Sequence, residues 1–448
     1  MNKKILYVDC TSLLFEKFHT GIERVEVNFI KNADVVNKDD NYTVKQIVLL
    51  KNKFVEINLF EKNLKTYLTD IFLHLLFPNK FRSLCVAAFP FLKKRINNNW
   101  YGIKKFILIS LFSFLSIFPI IFSIIGYYSK FLNFVKLREE DIYFLIGSWW
   151  LPLYNFIASA EMRQNRSMFV VFVHDVLPIT HHQLFLNHKQ FYDRFFEIIK
   201  CANLVITSSS TTLMEIRSLL ERQHKYQLLI EKYFACCPLG FDFSRFDSQN
   251  IIRSDVLEIF ANSSPYITVG TVEPRKNHAF LLDVFERLWS VDKNIRLCII
   301  GRYGWKAEEV AVKIKLHPAY GKSLFWLQDL SDRELRYCYT QARAMIYPSV
   351  AEGFGLPLVE ALSLGCDVFA TDIPVFREIG GNHCYYFCPG DLDELVKTIE
   401  NYEVTGKMPG VDNSIPFSWV SWRESVQDIF LTIKSQHELS MNNRIANN

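Results

Sequence analysis

The feature that most constrains the fold is a regular alternation of short apolar runs with longer amphipathic stretches. The first run lies at 5–9, and the alternation becomes continuous from about residue 141 onward. Short apolar runs that end in polar residues or glycine are typical of buried strands, and the stretches between them have helical spacing. Alternation of this kind predicts parallel βαβ units, in which helices cover a sheet.

The predicted strands fall into two groups, which indicates two sheets in tandem. A chain of 448 residues has room for two domains of about 200 residues each. The sequence therefore predicts an α/β protein with two Rossmann-like domains. The strands are predicted at 5–9, 142–147, 169–175, 204–209 and 233–240, and then at 266–270, 295–301, 323–328, 344–349, 367–372 and 384–387.

Composition and turn residues suggest where the domains divide. Gly, Asp and Ser concentrate between Pro238 and Pro265, which favours a linker there. Ser331 and Glu334 have capping-box spacing, which predicts a helix start inside the second domain. The predicted division is 1–240 for the N-terminal domain, 241–262 for the linker, 263–416 for the C-terminal domain, 417–434 for an aromatic helix that returns to the first domain, and 435–448 for a flexible tail.

Charge and cysteine content exclude several classes of protein. The formal net charge of +4 is too small for a nucleic-acid binder that works by neutralising phosphates. The ten cysteines are scattered without zinc-site spacing, which suggests a reducing compartment. The opening residues MNKKILYVDC resemble a first strand more than the apolar core of a signal peptide.

A cationic turn follows the predicted strand at 266–270. Gly270 ends the strand, and Arg275 and Lys276 precede a helix start, which is itself electropositive. Ligands of doubly wound sheets bind at such strand ends, and these two cations could neutralise a diphosphate there. The alternative is a solvated basic turn.

A glycine-rich turn follows the predicted strand at 344–349. Gly353 and Gly355 allow a ligand to approach the backbone, and Pro357 suits the first turn of a helix. Glu352 precedes the turn and Glu360 lies inside the helix, so the two carboxylates can accept hydrogen bonds from different hydroxyl groups of one ligand. The alternative is a glycine turn with two exposed glutamates.

His174 and Asp175 end a third predicted strand, at 169–175. A histidine at the tip of a buried strand could hydrogen-bond a substrate or tune a local charge. The alternatives are a structural histidine and an aspartate that caps a turn. Asp391 and Asp393 have the spacing of an Asp-x-Asp metal motif, but after Pro389 and Gly390 they indicate a helix N-terminus instead.

Together these segments resemble retaining glycosyltransferases of family 4, which have the GT-B fold. The resemblance rests on GTVEPRKN at 270–277 and on EGFGLPLVE at 352–360, whose two glutamates are separated by seven residues. The segments at 20–25, 174–178, 238–242 and 417–419 are similar to the bacterial branch that builds O-antigen and capsular polysaccharides. The resemblance implies two Rossmann-like domains that face each other across a cleft.

The resemblance implies a role for each site residue. Arg275 and Lys276 would bind the donor diphosphate without a metal, Glu360 would hold the ribose and Glu352 the sugar hydroxyls. Gly21 would let the N-terminal loop approach the phosphates. The predicted catalytic residues are His174, Glu352, Arg275 and Lys276, and the predicted donor-binding residues are Gly21, Gly270, Arg275, Lys276, Glu352, Gly353, Phe354, Gly355, Leu356 and Glu360.

An apolar segment at 106–129 carries no charged residue and has basic residues on both sides. A stretch of roughly 20 apolar residues can cross a bilayer. A single crossing would separate the strands at 5–9 and 169–175, which should share a sheet, and the basic flanks favour cytoplasmic ends. We therefore expect a membrane-associating helical insertion at about 70–138. A buried helical hairpin and a true span are the alternatives.

The expected function is a retaining, metal-independent glycosyltransferase without a cofactor. By resemblance, it would move mannose from GDP-mannose to a lipid-linked glycan acceptor, with no role for nucleic acid. Its expected location is the inner face of the cell membrane, as a peripheral cytoplasmic protein. The alternatives are a UDP- or dTDP-sugar donor, a GT-B epimerase or phosphorylase, and a degenerate scaffold subunit of a polysaccharide assembly complex.

Overall fold

A computed structural model describes residues 3–15, 21–39, 41–50, 53–57, 134–150, 167–186, 188–242, 251–261, 263–411 and 414–447. In these ranges the chain forms two α/β domains, each built on its own twisted sheet. This confirms the predicted division into two Rossmann-like halves.

The sheet of the N-terminal domain has eight strands in the described part of the chain. They are β1 (Lys4–Asp9), β2 (Tyr42–Leu50), β3 (Lys53–Ile57), β4 (Phe134–Val135), β5 (Ile142–Leu145), β6 (Met168–Val173), β7 (Leu204–Thr207) and β8 (Tyr233–Cys236). Their order in the sheet is β4-β3-β2-β1-β5-β6-β7-β8. The pairs β2–β1, β1–β5, β5–β6, β6–β7 and β7–β8 are parallel, whereas β3 pairs antiparallel with both β2 and β4.

Helices of the N-terminal domain pack on both faces of this sheet. Every residue of β5, β6 and β7 is buried, as continuous apolar runs in a covered parallel sheet require. The helices are α1 (Ser12–Phe15), α2 (Gly21–Lys31), α3 (Asp34–Asn37), α4 (Leu177–Thr180), α5 (His188–Cys201), α6 (Ser210–Arg222) and α7 (Tyr226–Glu231).

The sheet of the C-terminal domain is parallel throughout its described strands. The strands are β9 (Tyr266–Val269), β10 (Leu297–Ile300), β11 (Leu324–Leu327), β12 (Ala344–Tyr347), β13 (Val368–Thr371) and β14 (Tyr385–Phe387). Their order in the sheet is β11-β10-β9-β12-β13-β14. The predicted capping box is confirmed, because the Ser331 side chain accepts from the Glu334 amide while the Glu334 carboxylate accepts from the Ser331 amide. The helices are α8 (Ser254–Ala261), α9 (His278–Val291), α10 (Glu308–Leu316), α11 (Asp332–Gln341), α12 (Leu356–Ser363), α13 (Pro374–Gly380) and α14 (Leu392–Thr405).

Helix α8 lies inside the predicted linker, so the prediction of a linker across 254–261 was wrong. Val256 and Phe260, one helical repeat apart, are buried against the C-terminal domain. The ring of Phe260 contacts that of Tyr337 on α11, and Arg253 pairs with Glu334 at 3.0 Å. The segment therefore belongs to the C-terminal domain.

A last helix, α15 (Trp422–Asn447), returns to the N-terminal domain. The predicted return is confirmed: the Tyr42 hydroxyl lies 2.9 Å from His437 Nδ1, and Lys434 pairs with Asp39 at 2.6 Å. Its predicted bounds were wrong. The helix begins five positions after Phe417 and continues through the predicted flexible tail, since no glycine or proline interrupts it before Asn447.

The predicted insertion at 70–138 lies outside the described residues except at its end. Residues 134–138 are described, and the first two form β4, so the sheet begins again before the predicted insertion ends. Among the described helices, none combines the length and the apolar character needed to cross a membrane. The apolar segment at 106–129 is not part of that finding, and its membrane association stays a prediction.

Candidate active site

The two predicted motifs of the C-terminal domain meet at one buried cluster. A short 3₁₀ turn (Pro274–Lys276) follows β9, and its Arg275 carbonyl accepts from the Val350 amide at 3.0 Å. One carboxylate oxygen of Glu352 accepts from Lys276 Nζ at 2.6 Å, and the other accepts from the guanidinium of Arg275. The structure therefore brings together the three charged residues that the sequence predicted as catalytic in this domain.

Burial makes the electrostatics of this cluster strong. The side chains of Arg275, Lys276 and Glu352 are 18%, 10% and 7% exposed. Burial raises the pKa of Glu352, but the charges of Arg275 and Lys276 outweigh burial and lower the pKa to about 2. The carboxylate is therefore ionised at neutral pH and offsets two cations at once.

Two further residues, which the sequence analysis did not single out, complete the cluster. Glu273 is buried and pairs with Arg275 at 2.7 Å, while its other oxygen has no partner among the described residues. The Tyr347 hydroxyl accepts from Lys276 Nζ at 2.9 Å and donates to Glu352 at 3.1 Å. Glu273 stands two positions before Arg275, so its charge in the same turn was a signal that could have found it.

Glu360 lies in α12 and is 1% exposed. One of its oxygens accepts from Arg24 Nη1 at 2.7 Å, and the other accepts from the Tyr339 hydroxyl at 2.9 Å. Arg24 belongs to α2 of the N-terminal domain, so the two domains meet at Glu360. Neither Arg24 nor Tyr339 was predicted as a site residue, although Arg24 lies in the segment 20–25 that carries part of the resemblance.

The glycine turn before α12 also touches the N-terminal domain. The Gly353 carbonyl accepts from the Ser209 hydroxyl at 2.7 Å and from the Thr212 hydroxyl at 3.1 Å. A Cβ on Gly353 would overlap the carbonyl oxygen of His174 and lie 2.7 Å from Asp175 Cβ. Only glycine therefore allows this turn to lie so close to the end of β6.

The other predicted donor-binding residues occupy the same edge of the C-terminal sheet. Gly355 precedes α12 with φ of +99°, a conformation that favours glycine, and Leu356 is the first residue of that helix. The ring of Phe354 packs on Trp419, with centroids 5.9 Å apart. Gly270 follows β9, and a Cβ there would lie 2.9 Å from Lys276 Cε.

A further contact across the domains lies at the N-terminus of α6. The Glu378 carboxylate of α13 accepts from the backbone amides of Ser210 at 2.6 Å and Thr211 at 2.8 Å. A carboxylate suits this place because helix N-termini carry free amides and a partial positive charge. Together with the Gly353 contacts, this pair holds the second domain against the ends of β6 and β7.

Gly21 begins α2 on the N-terminal side. A Cβ on this residue would meet no described atom within 4 Å, so the described residues supply no steric reason for glycine there. The prediction that Gly21 approaches the donor phosphates stays a prediction. Asp391 caps α14 by accepting from the Glu394 amide, which confirms that Asp391 and Asp393 mark a helix start. No group of three metal-ligating side chains occurs within the described ranges.

His174 lies at the end of β6, against Gly353. Its Nε2 is 2.7 Å from the Ile146 carbonyl oxygen, which can only accept, so Nε2 carries the proton. Burial lowers the pKa of His174 to about 4. The imidazole is therefore neutral at neutral pH, with Nδ1 as an acceptor, and is not a permanent positive charge beside the site.

This burial predicts a pH-dependent loss of stability. The pKa of His174 is about 6.5 when unfolded and about 4 when folded, so the unfolded state binds the extra proton. Stability should fall as pH drops from about 6.5 to about 4, by up to about 3 kcal/mol from this residue. In urea unfolding, the free energy of unfolding of His174→Asn should fall less than that of wild type over this pH range. His182→Asn, the same change at an exposed histidine, is the control for the substitution itself. An unchanged slope in His174→Asn would contradict the assignment.

Comparison with known families identifies the domain that carries the cluster. Residues 253–409 match the family described as "Glycosyl transferases group 1". The C-terminal domain therefore resembles a glycosyltransferase group 1 domain. The match begins next to α8, in agreement with the packing of that helix on the C-terminal domain, and it includes the segments of Arg275, Lys276, Glu352 and Glu360.

Curated relatives are similar to part of the chain. The "Serotype-specific mannosyltransferase WbdA" of Escherichia coli is 39% identical over 172 residues, which are 38% of this chain and 21% of that protein. The "O-antigen chain mannosyltransferase RfbU" of Salmonella typhimurium is 31% identical over 157 residues, 34% of this chain and 42% of that protein. The aligned part is thus about a fifth of the first relative and about two fifths of the second.

Solved structures extend the similarity in fold to both domains. The chain superposes on Anabaena Alr3699/HepE, crystallised with UDP and glucose, with a TM-score of 0.56 at 17% identity, over 97% of this chain and 100% of that one. Sucrose-phosphate synthase from Thermosynechococcus elongatus gives a TM-score of 0.56 at 14% identity, with 100% of both chains covered. The predicted GT-B fold is confirmed.

Proposed function

We propose that this protein is a glycosyltransferase that moves a sugar from a nucleotide donor to a glycan. The observation that carries the proposal is the buried Arg275–Lys276–Glu352 cluster, placed where a group 1 domain faces its partner domain. Two adjacent cations at a strand end suit a diphosphate, and a carboxylate beside them suits sugar hydroxyls. Glu360, inside the helix that follows Glu352, suits the ribose.

The cluster supports metal-independent chemistry in this proposal. The bond between the anomeric carbon and the phosphate oxygen breaks, and the acceptor hydroxyl oxygen bonds to that carbon on the same face. The proton of the acceptor hydroxyl passes to the departing phosphate. Arg275 and Lys276 stabilise the negative charge that develops on the diphosphate, in a site with little water to screen it. Neutral His174 positions the reacting sugar and carries no charge of its own.

The Glu352 ion pairs give the proposal a testable feature. The donor diphosphate and the Glu352 carboxylate compete for the same two cations. A bound diphosphate draws Arg275 and Lys276 toward its own oxygens, and the carboxylate then accepts hydrogen bonds from the sugar. Exchange of one anion for another keeps the two buried cations neutralised at every stage.

The favoured donor is GDP-mannose and the favoured acceptor a lipid-linked surface polysaccharide. Support comes from the names of the relatives, which are mannosyltransferases, two of them of O-antigen chains. A UDP- or dTDP-sugar is the alternative donor. A polymer that grows on a membrane lipid would also explain a membrane-associating segment at 70–138, at the inner face of the cell membrane.

Calorimetric titration with GDP-, UDP- and dTDP-sugars tests this function. We expect wild type to bind sugars of one nucleotide, and binding to persist in EDTA. Lys276→Ala should weaken that binding about 10- to 100-fold, because a hydrogen bond to a charged group is worth about 1.5–3 kcal/mol. Lys322→Ala, an exposed change before β11, is the matched control and should bind as wild type does. Absence of binding to every sugar nucleotide would favour the scaffold alternative.

A further inference from the structure

The ion pair between Arg24 and Glu360 joins helices from different domains. Arg24 lies in the second turn of α2, and Glu360 lies in α12, 336 positions later. Arg24 Nη1 donates to Glu360 at 2.7 Å; the arginine side chain is 34% exposed, and the carboxylate is 1% exposed. A buried carboxylate needs a partner, and here the partner comes from the opposite domain.

The carboxylate keeps capacity for a ligand in this arrangement. An ionised carboxylate offers about four lone-pair sites. Arg24 occupies one on the first oxygen, and the Tyr339 hydroxyl occupies one on the second. One site on each oxygen therefore remains, and the two fixed donors set the plane in which these sites lie. A pair of neighbouring hydroxyl groups is the chemistry that matches such an acceptor pair.

We propose that Arg24 is a positioning residue for the donor ribose, which acts by fixing the orientation of Glu360 from the opposite domain. The inference rests on the proposed function, in which Glu360 accepts hydrogen bonds from the ribose hydroxyls. Because Arg24 belongs to the N-terminal domain, the ribose site is complete only when the two domains are in contact. The nucleotide is then recognised by both domains, although the contacting carboxylate belongs to one.

A purely structural ion pair makes a different prediction. If Arg24 only held the domains together, its loss would weaken the binding of every nucleotide to the same extent, with or without ribose hydroxyls. If it acts through Glu360, the loss should appear only with ligands that carry those hydroxyls. Nucleoside diphosphates and their 2′,3′-dideoxy analogues separate the two cases.

The experiment titrates the full chain with GDP, UDP and their 2′,3′-dideoxy analogues by calorimetry. Arg24→Ala should weaken binding of the preferred ribonucleotide about tenfold, which corresponds to about 1.4 kcal/mol, and should weaken its dideoxy analogue less than about twofold. Arg24→Lys keeps the charge and should lie between wild type and Arg24→Ala. Arg423→Ala, which breaks an exposed pair of α15 with Asp34 of the same domain, is the control and should bind as wild type does.

Three outcomes would overturn the inference, and they are distinguishable. If Arg24→Ala weakens the binding of the ribonucleotide and of the dideoxynucleotide equally, Arg24 has a structural role only. If it weakens the binding of neither, Arg24 has no role in the site. If Arg24→Ala does not fold, the same comparison in Arg24→Lys decides, because a smaller but ribose-selective loss is required there. If wild type binds none of GDP, UDP and dTDP, the proposed function itself fails, and the inference fails with it.

Discussion

Glu352→Ala should lower the rate of sugar transfer at least about 100-fold. A nucleoside diphosphate should stabilise this variant more than it stabilises wild type. In the proposed function Glu352 accepts hydrogen bonds from the sugar hydroxyls, so transfer should fall because two such bonds to a charged group, about 1.5–3 kcal/mol each, are lost. The stabilisation rises because the change leaves Arg275 and Lys276 buried without their shared carboxylate. Removing one partner of a buried pair costs about 3–5 kcal/mol, and the diphosphate supplies the missing negative charge.

Thermal unfolding of wild type and Glu352→Ala, with and without GDP or UDP, measures this effect beside a transfer assay. Asp393→Ala is the matched control, because it removes a carboxylate from a pair with Arg287 that is more than half exposed on both sides. That change should leave both stability and nucleotide response close to wild type. A nucleotide-induced shift in Glu352→Ala no larger than in wild type would show that carboxylate and diphosphate do not compete for the two cations.

Gly353→Ala should lower the rate of sugar transfer about 100-fold, because the added methyl group prevents the close contact between the two domains at this turn. The new methyl group would overlap the His174 carbonyl oxygen, which belongs to the backbone and has little freedom to move aside. The turn must then move away from β6, which breaks its hydrogen bonds with Ser209 and Thr212. A displacement of about 1 Å at a reacting centre can cost about 100-fold in rate, and the crowding itself costs about 1–3 kcal/mol in stability.

Urea unfolding, combined with kcat and KM, checks this prediction. The variant should lose about 1–3 kcal/mol of unfolding free energy and should lose kcat. Gly410→Ala is the control: its φ is +69°, which strains alanine, but a Cβ there meets no described atom within 4 Å. It should lose some stability without loss of transfer. Transfer by Gly353→Ala within about threefold of wild type would be incompatible with a need for this close contact.

Local patterns predicted the elements well, because a strand or a helix start depends on nearby residues. The apolar runs predicted the bounds of β9 and β12 to within one or two positions, and Ser331 and Glu334 predicted the start of α11. The adjacency of Arg275, Lys276 and Glu352 followed from the rule that parallel strands end at one edge. Helix α8 was missed because turn residues at both ends of the segment concealed a short amphipathic pattern between them.

The spacing of residues in the sequence could not predict contacts between residues that are far apart in the chain. The pairing of Arg24 with Glu360 spans most of the chain, and nothing near either residue indicates the other. The neutral state of His174 likewise depends on its burial and on the Ile146 carbonyl, which only the folded chain supplies. The sequence therefore predicted the charged residues of the cluster and Glu360, but it did not predict the partners that neutralise or hydrogen-bond them, which are Glu273, Tyr347, Arg24 and Tyr339.

The return of α15 to the N-terminal domain affects the order in which the protein can fold during synthesis. The ring of Phe430 packs edge-on against Tyr42, and Ile433 is fully buried in the same core. On the ribosome the first domain emerges early, but this part of its core is translated only after the whole second domain. The nascent first domain therefore keeps an apolar surface exposed throughout that interval, and this surface is where we expect a chaperone to bind.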